Sequence, residues 1–420
     1  MKFSTLLRNM LKVFLGDIFS KLISFGTALL IIRGLSTLEY AAYTVFNSIS
    51  SLFPSLLGTG INRSLVSFSA EYISKTGKKP YEIYLVNFLC QILFYLIISI
   101  PLFLYSKKVV FFLFGNEDYF WFFRYGLIAG FGILIMEAGR YVYQAEERFG
   151  NFILVLWLKQ ALIFVGIFSL FTKKKLFVLN AVKFIIIINL IVGIVLVLHI
   201  LKESDFKSWV LGFTDAEKKI IRKFLTNSIW LIAYYVILAA FQRLDIFMLS
   251  HYTTRNELAQ YGVAYKYYTL GLLFINSIRA VLLPAFSKIN MQDPLTHRSF
   301  ITKWLRSISW IGVPILIFVL LGKPLFIWVN GIKYARAFDI LCIFAFGIWL
   351  SWMFSPSVNL LIGKKAFKFL FMLGVTAFIM NFWGNYFIIP VWGGVGAAVT
   401  TVFTHGFINL VSTYKLLEGR

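Results

Sequence analysis

NSIWLIAYYVILAAFQRLDIFMLSHYTTRNELAQYGVAYKYYTLGLLFINSIRAVLLPAFS, residues 227–287, decides how the chain is read. It is an apolar run broken by Arg243 and Asp245, a short polar connection through His251 and Asn256, and a second apolar run carrying Lys266 and Arg279. Each run is long enough to cross a bilayer as a helix, which takes roughly 20 apolar residues. The pattern stands once before in the chain. Moved back by 218 positions, Glu257, Ala259, Tyr261, Val263, Leu270, Leu283, Phe286 and Ser287 fall on Glu39, Ala41, Tyr43, Val45, Leu52, Leu65, Phe68 and Ser69 without a gap. That interval is about half of the 420 residues, so the chain reads as two homologous units, 1–201 and 202–420.

Composition agrees with a membrane solvent. With 59% hydrophobic and only 14% charged residues, and a mean hydropathy of +0.80, there is too little polar surface to face water on all sides. A net charge of +23 would suggest nucleic acid in a soluble domain. Here the bases cluster between apolar runs, the pattern that orients membrane proteins, so nucleic acid is not expected as a partner. Cys90 and Cys342 each lie inside an apolar run and are expected as free thiols. The first apolar run carries Asp17 and Lys21 and continues to Ile32 with no cleavage pattern, so it reads as a retained helix rather than a signal peptide.

Twelve spans are expected, near 13–32, 42–61, 83–105, 119–138, 151–171, 176–200, 228–250, 262–286, 304–322, 337–356, 367–389 and 395–416. Pro101, Pro314 and Pro356 are expected to kink or end their helices. Connections on one side hold more than twice the Lys and Arg of the other, counting Arg63, Arg140 and Arg148 on the rich side, which places both termini in the cytoplasm. Six spans per half is an even number, so both halves enter the membrane in the same sense. The expected fold is an all-α integral membrane protein of two parallel six-helix bundles around a central cleft, the natural place for a substrate.

Polar residues recur at helical spacing in the first two spans of each half. Thr44, Asn47, Ser48, Ser51, Ser55, Thr59 and Asn62 share one face of the second span, and Tyr261, Tyr265, Thr269, Asn276 and Ser277 answer in the eighth. Such stripes line a wet cavity or let helices approach and bond to each other, and the spacing allows both. Charges within spans are more specific, because a charge in hydrocarbon is costly without a partner or water. Lys21, Arg124, Lys159, Lys183, Arg243, Lys266 and Arg279 stand there against Asp17, Glu137 and Asp245. A surplus of bases suits an anionic substrate such as a phosphate, which arginine binds bidentately. The competing reading is snorkelling to the interface. The candidate substrate-binding residues are Lys21, Arg243, Arg279, Asn47, Ser51, Tyr265 and Asn276, and Asp17 and Asp245 are candidates for coupling to a proton or sodium ion. Asp17 and Lys21, four residues apart, are equally an ion pair. The four histidines form no metal set, and no phosphate loop or serine elbow is present, so neither a metal, a cofactor nor an enzymatic activity is expected.

Four stretches carry a resemblance: LDIFMLSHYTTRNELAQYGVAYKY (244–267), RGLSTLEYAAY (33–43), VNGIKYARAFDIL (329–341) and IIPVWGGVGAAVTT (388–401). Together they resemble the Wzx-type flippases, of the superfamily of multidrug, oligosaccharidyl-lipid and polysaccharide exporters. Ala41 and Ala42 stand where members of that family often carry Gly. The resemblance implies translocation of an undecaprenyl-pyrophosphate-linked oligosaccharide, as for O-antigen of lipopolysaccharide, across the bacterial inner membrane by alternating access. It implies as partners that lipid-linked oligosaccharide, membrane lipid and other polysaccharide-assembly proteins. The alternatives are an organic cation exporter of the same superfamily, which calls for net acid in the cleft, and a membrane glycosyltransferase or polymerase, which calls for a sizeable exterior loop.

Overall fold

Ser36-Thr-Leu-Glu39 and Thr254-Arg-Asn-Glu257, 218 residues apart, each start a helix. In the first, the Glu39 amide donates to Ser36 Oγ at 3.2 Å while Ser36 N–H donates to Glu39 Oε2 at 3.0 Å, a reciprocal capping box. In the second, the Glu257 amide donates to Thr254 Oγ1 at 3.3 Å, and the Glu257 carboxylate is used elsewhere. The computed structural model describes residues 3–115, 117–203, 215–288, 294–310, 312–363 and 366–417; for 3–12, 273–288, 294–298 and scattered positions it describes the backbone alone.

The described chain is helical throughout. The helices are α1 (Phe3–Gly34), α2 (Thr37–Thr76), α3 (Tyr81–Leu104), α4 (Ser106–Phe114), α5 (Phe120–Ala145), α6 (Phe149–Thr172) and α7 (Val178–Glu203). There follow α8 (Asp215–Tyr252), α9 (Arg255–Lys288), α10 (Pro294–Ser309), α11 (Gly312–Leu321), α12 (Lys323–Asn330), α13 (Ala335–Gly363) and α14 (Phe367–Leu417). The 218-residue interval holds at helix ends: α1 and α8 end at Gly34 and Tyr252, α5 and α13 at Ala145 and Gly363, and α6 and α14 start at Phe149 and Phe367. The short α4 is answered by the short α12.

Among the described residues, eight helices are long and apolar enough to cross a membrane, or nine if the bent pair α11 and α12 is one span. This is a multi-pass membrane protein. At 1.5 Å per residue, the 40 residues of α2 reach about 60 Å, twice the thickness of a hydrocarbon core, and α2 is not one of those eight helices. The helix expected over 304–322 is instead divided. Pro314 sits in the first turn of α11, where its missing N–H costs nothing, and α11 meets α12 at 70°. Pro101 lies one turn before the end of α3, whereas α13 runs through Pro356 to Gly363.

By packing, the chain forms two compact units, one of residues 1–30 and 42–243, the other of residues 31–41 and 244–420. In the first, α5 and α7 pack closely because Gly132 has no side chain: a Cβ there would lie 2.7 Å from the Asn189 carbonyl carbon. Tyr84, Met136, Leu196 and Phe224 belong to its core. The same unit buries Asn62, whose Oδ1 accepts from Asn87 Nδ2 at 3.1 Å and Gln91 Nε2 at 2.8 Å.

In the second unit, Phe344 stacks on Tyr268 with ring centres 4.4 Å apart and meets Tyr261 edge-on at 5.6 Å. Here α14 turns at Gly393, whose φ of 55° lies in the left-handed region. Glu257 seats that turn. Its Oε1 accepts from the Gly394 amide at 2.8 Å, at the start of the second arm of α14, and its Oε2 lies 3.3 Å from Arg336 Nε. A carboxylate suits that position, because amides opening a helix lack intrahelical partners and carry partial positive charge.

Candidate functional site

Asp245 lies on α8 in the stretch that opened the sequence reading, and it is 3% exposed. Its Oδ2 accepts the Tyr261 hydroxyl at 2.8 Å and the Thr401 hydroxyl, and its Oδ1 accepts Asn385 Nδ2 at 2.6 Å. Asn385 also donates to Asn381 Oδ1 at 3.0 Å, and Asn381 Nδ2 lies 3.5 Å from Thr404 Oγ1. Helix α8 thus contributes the acid, α9 the tyrosine, the first arm of α14 two asparagines one turn apart, and its second arm two threonines. The turn at Gly393 brings those arms together around the carboxylate.

Magnitudes explain why the cage exists. An acid at the centre of a membrane helix costs about 2.5–3.5 kcal/mol on insertion scales. A hydrogen bond to a charged group returns about 1.5–3 kcal/mol, so three donors offset the cost. The cage is not saturated, since Asn385 Oδ1 is buried and has no hydrogen-bond partner. Carboxylate, amide and hydroxyl oxygens around one point form the donor set of a proton site or of a small hard cation.

The other residues named from the sequence fall in several places. Lys21 Nζ is ion-paired with Asp17, one turn away on the same face of α1. Asn47 and Ser51 lie half-buried on α2, with Ser51 Oγ donating to the Asn47 carbonyl at 2.7 Å. Tyr265 is half-buried on α9 and stacks on Tyr261 at 5.8 Å, which brings it to the rim of the Asp245 cage. Arg243 is half-buried, two residues before Asp245. Asn276 and Arg279 fall on the course of α9, and their side chains lie outside the described residues.

Sequence reading missed the partners of Asp245. The signal was present in the spacing of Asn381 and Asn385, and of Thr400, Thr401 and Thr404, inside otherwise apolar runs. It also assigned Arg63 and Arg140 to connections, whereas they sit within α2 and α5.

The family model described as "Polysaccharide biosynthesis protein" matches residues 6–290. The chain belongs to that family. No curated protein matches the sequence. Among solved structures, this polysaccharide biosynthesis family member is similar to the lipid II flippase MurJ in an inward closed conformation. The two share 16% identity with a TM-score of 0.73 over 96% of this chain and 86% of that one. It is similar to an inward-facing multidrug resistance MATE transporter at 13% identity and a TM-score of 0.69, over 94% and 93% of the two chains. A third likeness is to a transporter of the same superfamily from Pyrococcus furiosus, titled for the reverse polarity of its binding pocket, at 14% identity and a TM-score of 0.59 over 98% and 94%. At these identities the likeness speaks for the fold. That fold is one of membrane flippases and transporters.

Proposed function

We propose that the protein is a flippase, not an enzyme, that moves an undecaprenyl-pyrophosphate-linked oligosaccharide repeat unit from the cytoplasmic to the outer leaflet of the bacterial inner membrane by alternating access. The observation that carries this reading is the coincidence of a polysaccharide biosynthesis family match with the fold of a lipid II flippase. Twelve spans in two six-helix repeats, 1–201 and 202–420, with both termini cytoplasmic, belong to this proposal. The surplus of bases within the spans supports a substrate with an anionic head, and the polar stripe of α2 supports one that carries sugars.

Lys21, Arg243 and Arg279 are proposed to meet the pyrophosphate, and Asn47, Ser51, Tyr265 and Asn276 the sugars. Asp245 in its cage is proposed to bind the coupling ion, with Asp17 as a second candidate. The test is complementation of a strain lacking its own flippase. Arg243→Ala and Arg279→Ala should each abolish surface polysaccharide while the protein stays in the membrane; normal polysaccharide from both variants refutes this substrate site.

The MATE likeness favours a second reading, export of organic cations. Energised efflux of a cationic dye by the purified protein in liposomes, without movement of lipid-linked sugar, would select that reading.

A further inference from the structure

Arg63 continues the row Ser51, Ser55, Thr59 along α2 at steps of four residues, and every member of that row is half-buried or exposed. Its guanidinium lies 5.1 Å over the ring of Tyr235, and Tyr234 packs against Tyr235 at 5.2 Å. Tyr141 of α5 is within electrostatic reach of Arg63. Among the described residues no carboxylate is ion-paired with it. Glu137, one turn before Tyr141 on α5, is paired with Arg140 at 2.6 Å. Arg140 is in turn buried, donating to the Phe152 carbonyl at 3.1 Å and lying 4.4 Å over the Phe152 ring. Lys159 of α6 is within electrostatic reach of Glu137 and Arg140. Arg63 on α2 and the Glu137–Arg140 pair on α5 thus stand beside tyrosines of α5 and α8, all within the first compact unit.

The repeat separates architecture from function here. At the 218-residue interval Arg63, Glu137, Arg140, Tyr141 and Lys159 meet Val281, Ser355, Val358, Asn359 and Ala377, so the second half builds the equivalent helices without any of these groups. The fold does not require the cluster. Its depth is informative as well. Tyr141 stands four residues before the end of α5 and Lys159 ten residues after the start of α6, about 6 Å and 15 Å at 1.5 Å per residue. Tyr141 thus lies toward the end of the unit that carries the α5–α6 turn, and Lys159 near the middle of the 24-residue α6.

We propose that Arg63, Tyr141 and Tyr235 form a loading site for the phosphate-bearing headgroup of a polyprenyl pyrophosphate at the cytoplasmic end of the first unit. The open guanidinium face takes the phosphate in a bidentate pair, and the tyrosine rings stack against the first sugar. The proposal rests on the flippase reading and adds a site which that reading does not contain.

The test uses purified full-length protein in detergent and follows intrinsic fluorescence on titration with undecaprenyl pyrophosphate, undecaprenol and inorganic pyrophosphate. Wild type should bind undecaprenyl pyrophosphate. Arg63→Ala should weaken that binding about tenfold or more, the size of effect expected for a lost charge-assisted pair. Arg63→Lys should recover part of the loss, and Tyr141→Phe, which keeps the ring and removes the hydroxyl, should weaken binding several-fold at an unchanged melting temperature. The lysine and phenylalanine variants decide the matter if the alanine variant does not fold. Wild-type affinity in the Arg63 variants overturns the site and leaves the flippase reading standing. Equal, Arg63-dependent affinity for inorganic pyrophosphate overturns a lipid-linked ligand in favour of a free anion. A wild-type protein that neither binds undecaprenyl pyrophosphate nor complements a flippase-deficient strain overturns both.

Discussion

Arg33 and Lys333 cap each other's helices. Arg33 Nε donates to the Val329 carbonyl at 2.6 Å and its terminal nitrogen to the Trp328 carbonyl, both in the last turn of α12. Lys333, just past α12, donates through Nζ to the Arg33 carbonyl at 3.2 Å and to the Leu35 carbonyl, at the end of α1. The last carbonyls of a helix lack intrahelical partners and carry partial negative charge, so a cation at each end serves twice. The exchange ties residues 31–41 to the compact unit that holds 329–333, although residues 1–30 pack with the other.

Arg33→Ala and Lys333→Ala should each destabilise the protein by about 1 kcal/mol, a charge-assisted hydrogen bond discounted for exposure. The double variant should fall short of the sum by roughly 0.5 kcal/mol or more, because both contacts hold one corner. Melting in detergent measures all three. Additive losses would show two independent contacts and no shared corner.

Gly393→Ala should cost about 1–3 kcal/mol. An L side chain at φ 55° is strained by roughly 1–2 kcal/mol, and the new Cβ would fall 2.7 Å from Glu257 Oε1, displacing the carboxylate from the Gly394 amide. Glu257→Gln relieves none of the strain and weakens the cap, so combining it with Gly393→Ala should add little. A melting temperature for Gly393→Ala equal to that of wild type would show that Glu257 does not depend on this turn.

Much of this was readable from local sequence. The repeat pairs Glu39 with Glu257 and so puts the two halves in register, and Asp245 stands out as a charge in an apolar run. What surrounds Asp245 was not readable, because Asn385 and Thr401 lie 140 and 156 residues away and each looks like an ordinary helix polar residue. Arg63 was misplaced for a related reason. Hydropathy falls after Ile61, which resembles the end of a span, yet α2 continues to Thr76, with Arg63 lying over the Tyr235 ring. The break between α10 and α11 falls inside 304–322, which hydropathy reads as one span, whereas the expected end at 322 coincides with the 70° bend between α11 and α12.

Asp245→Asn and Asn385→Leu should separate coupling from structure. The first keeps the volume and removes a buried charge, so stability should stay equal or rise while translocation, read by complementation, is lost. The second leaves the Asp245 oxygen without its amide donor and should cost about 1–3 kcal/mol of stability. Full complementation by Asp245→Asn would remove this residue from the coupling machinery and leave it a structural acid.

Asn62→Leu tests whether the buried amide cluster of the first unit holds helices together or only satisfies itself. The substitution orphans the Asn87 and Gln91 amide donors, which contact Asn62 Oδ1 at 3.1 and 2.8 Å. In water-soluble cores two such orphans cost about 1–3 kcal/mol each, whereas pairs between membrane helices average about 0.6 kcal/mol, so a combined loss of roughly 1–2 kcal/mol is expected. Replacing the partners too, as Asn62→Leu with Asn87→Leu and Gln91→Met, removes the orphans and should restore most of that stability. Gln91 bounds the gain, because its Oε1 lies where a Cβ on Gly58 would sit, 2.9 Å away, and methionine must fit the same narrow gap. Melting of the three proteins, wild type included, in detergent decides the point: a triple variant less stable than the single one would mean that the amides are needed for helix packing, and a silent single variant that they contribute nothing to it.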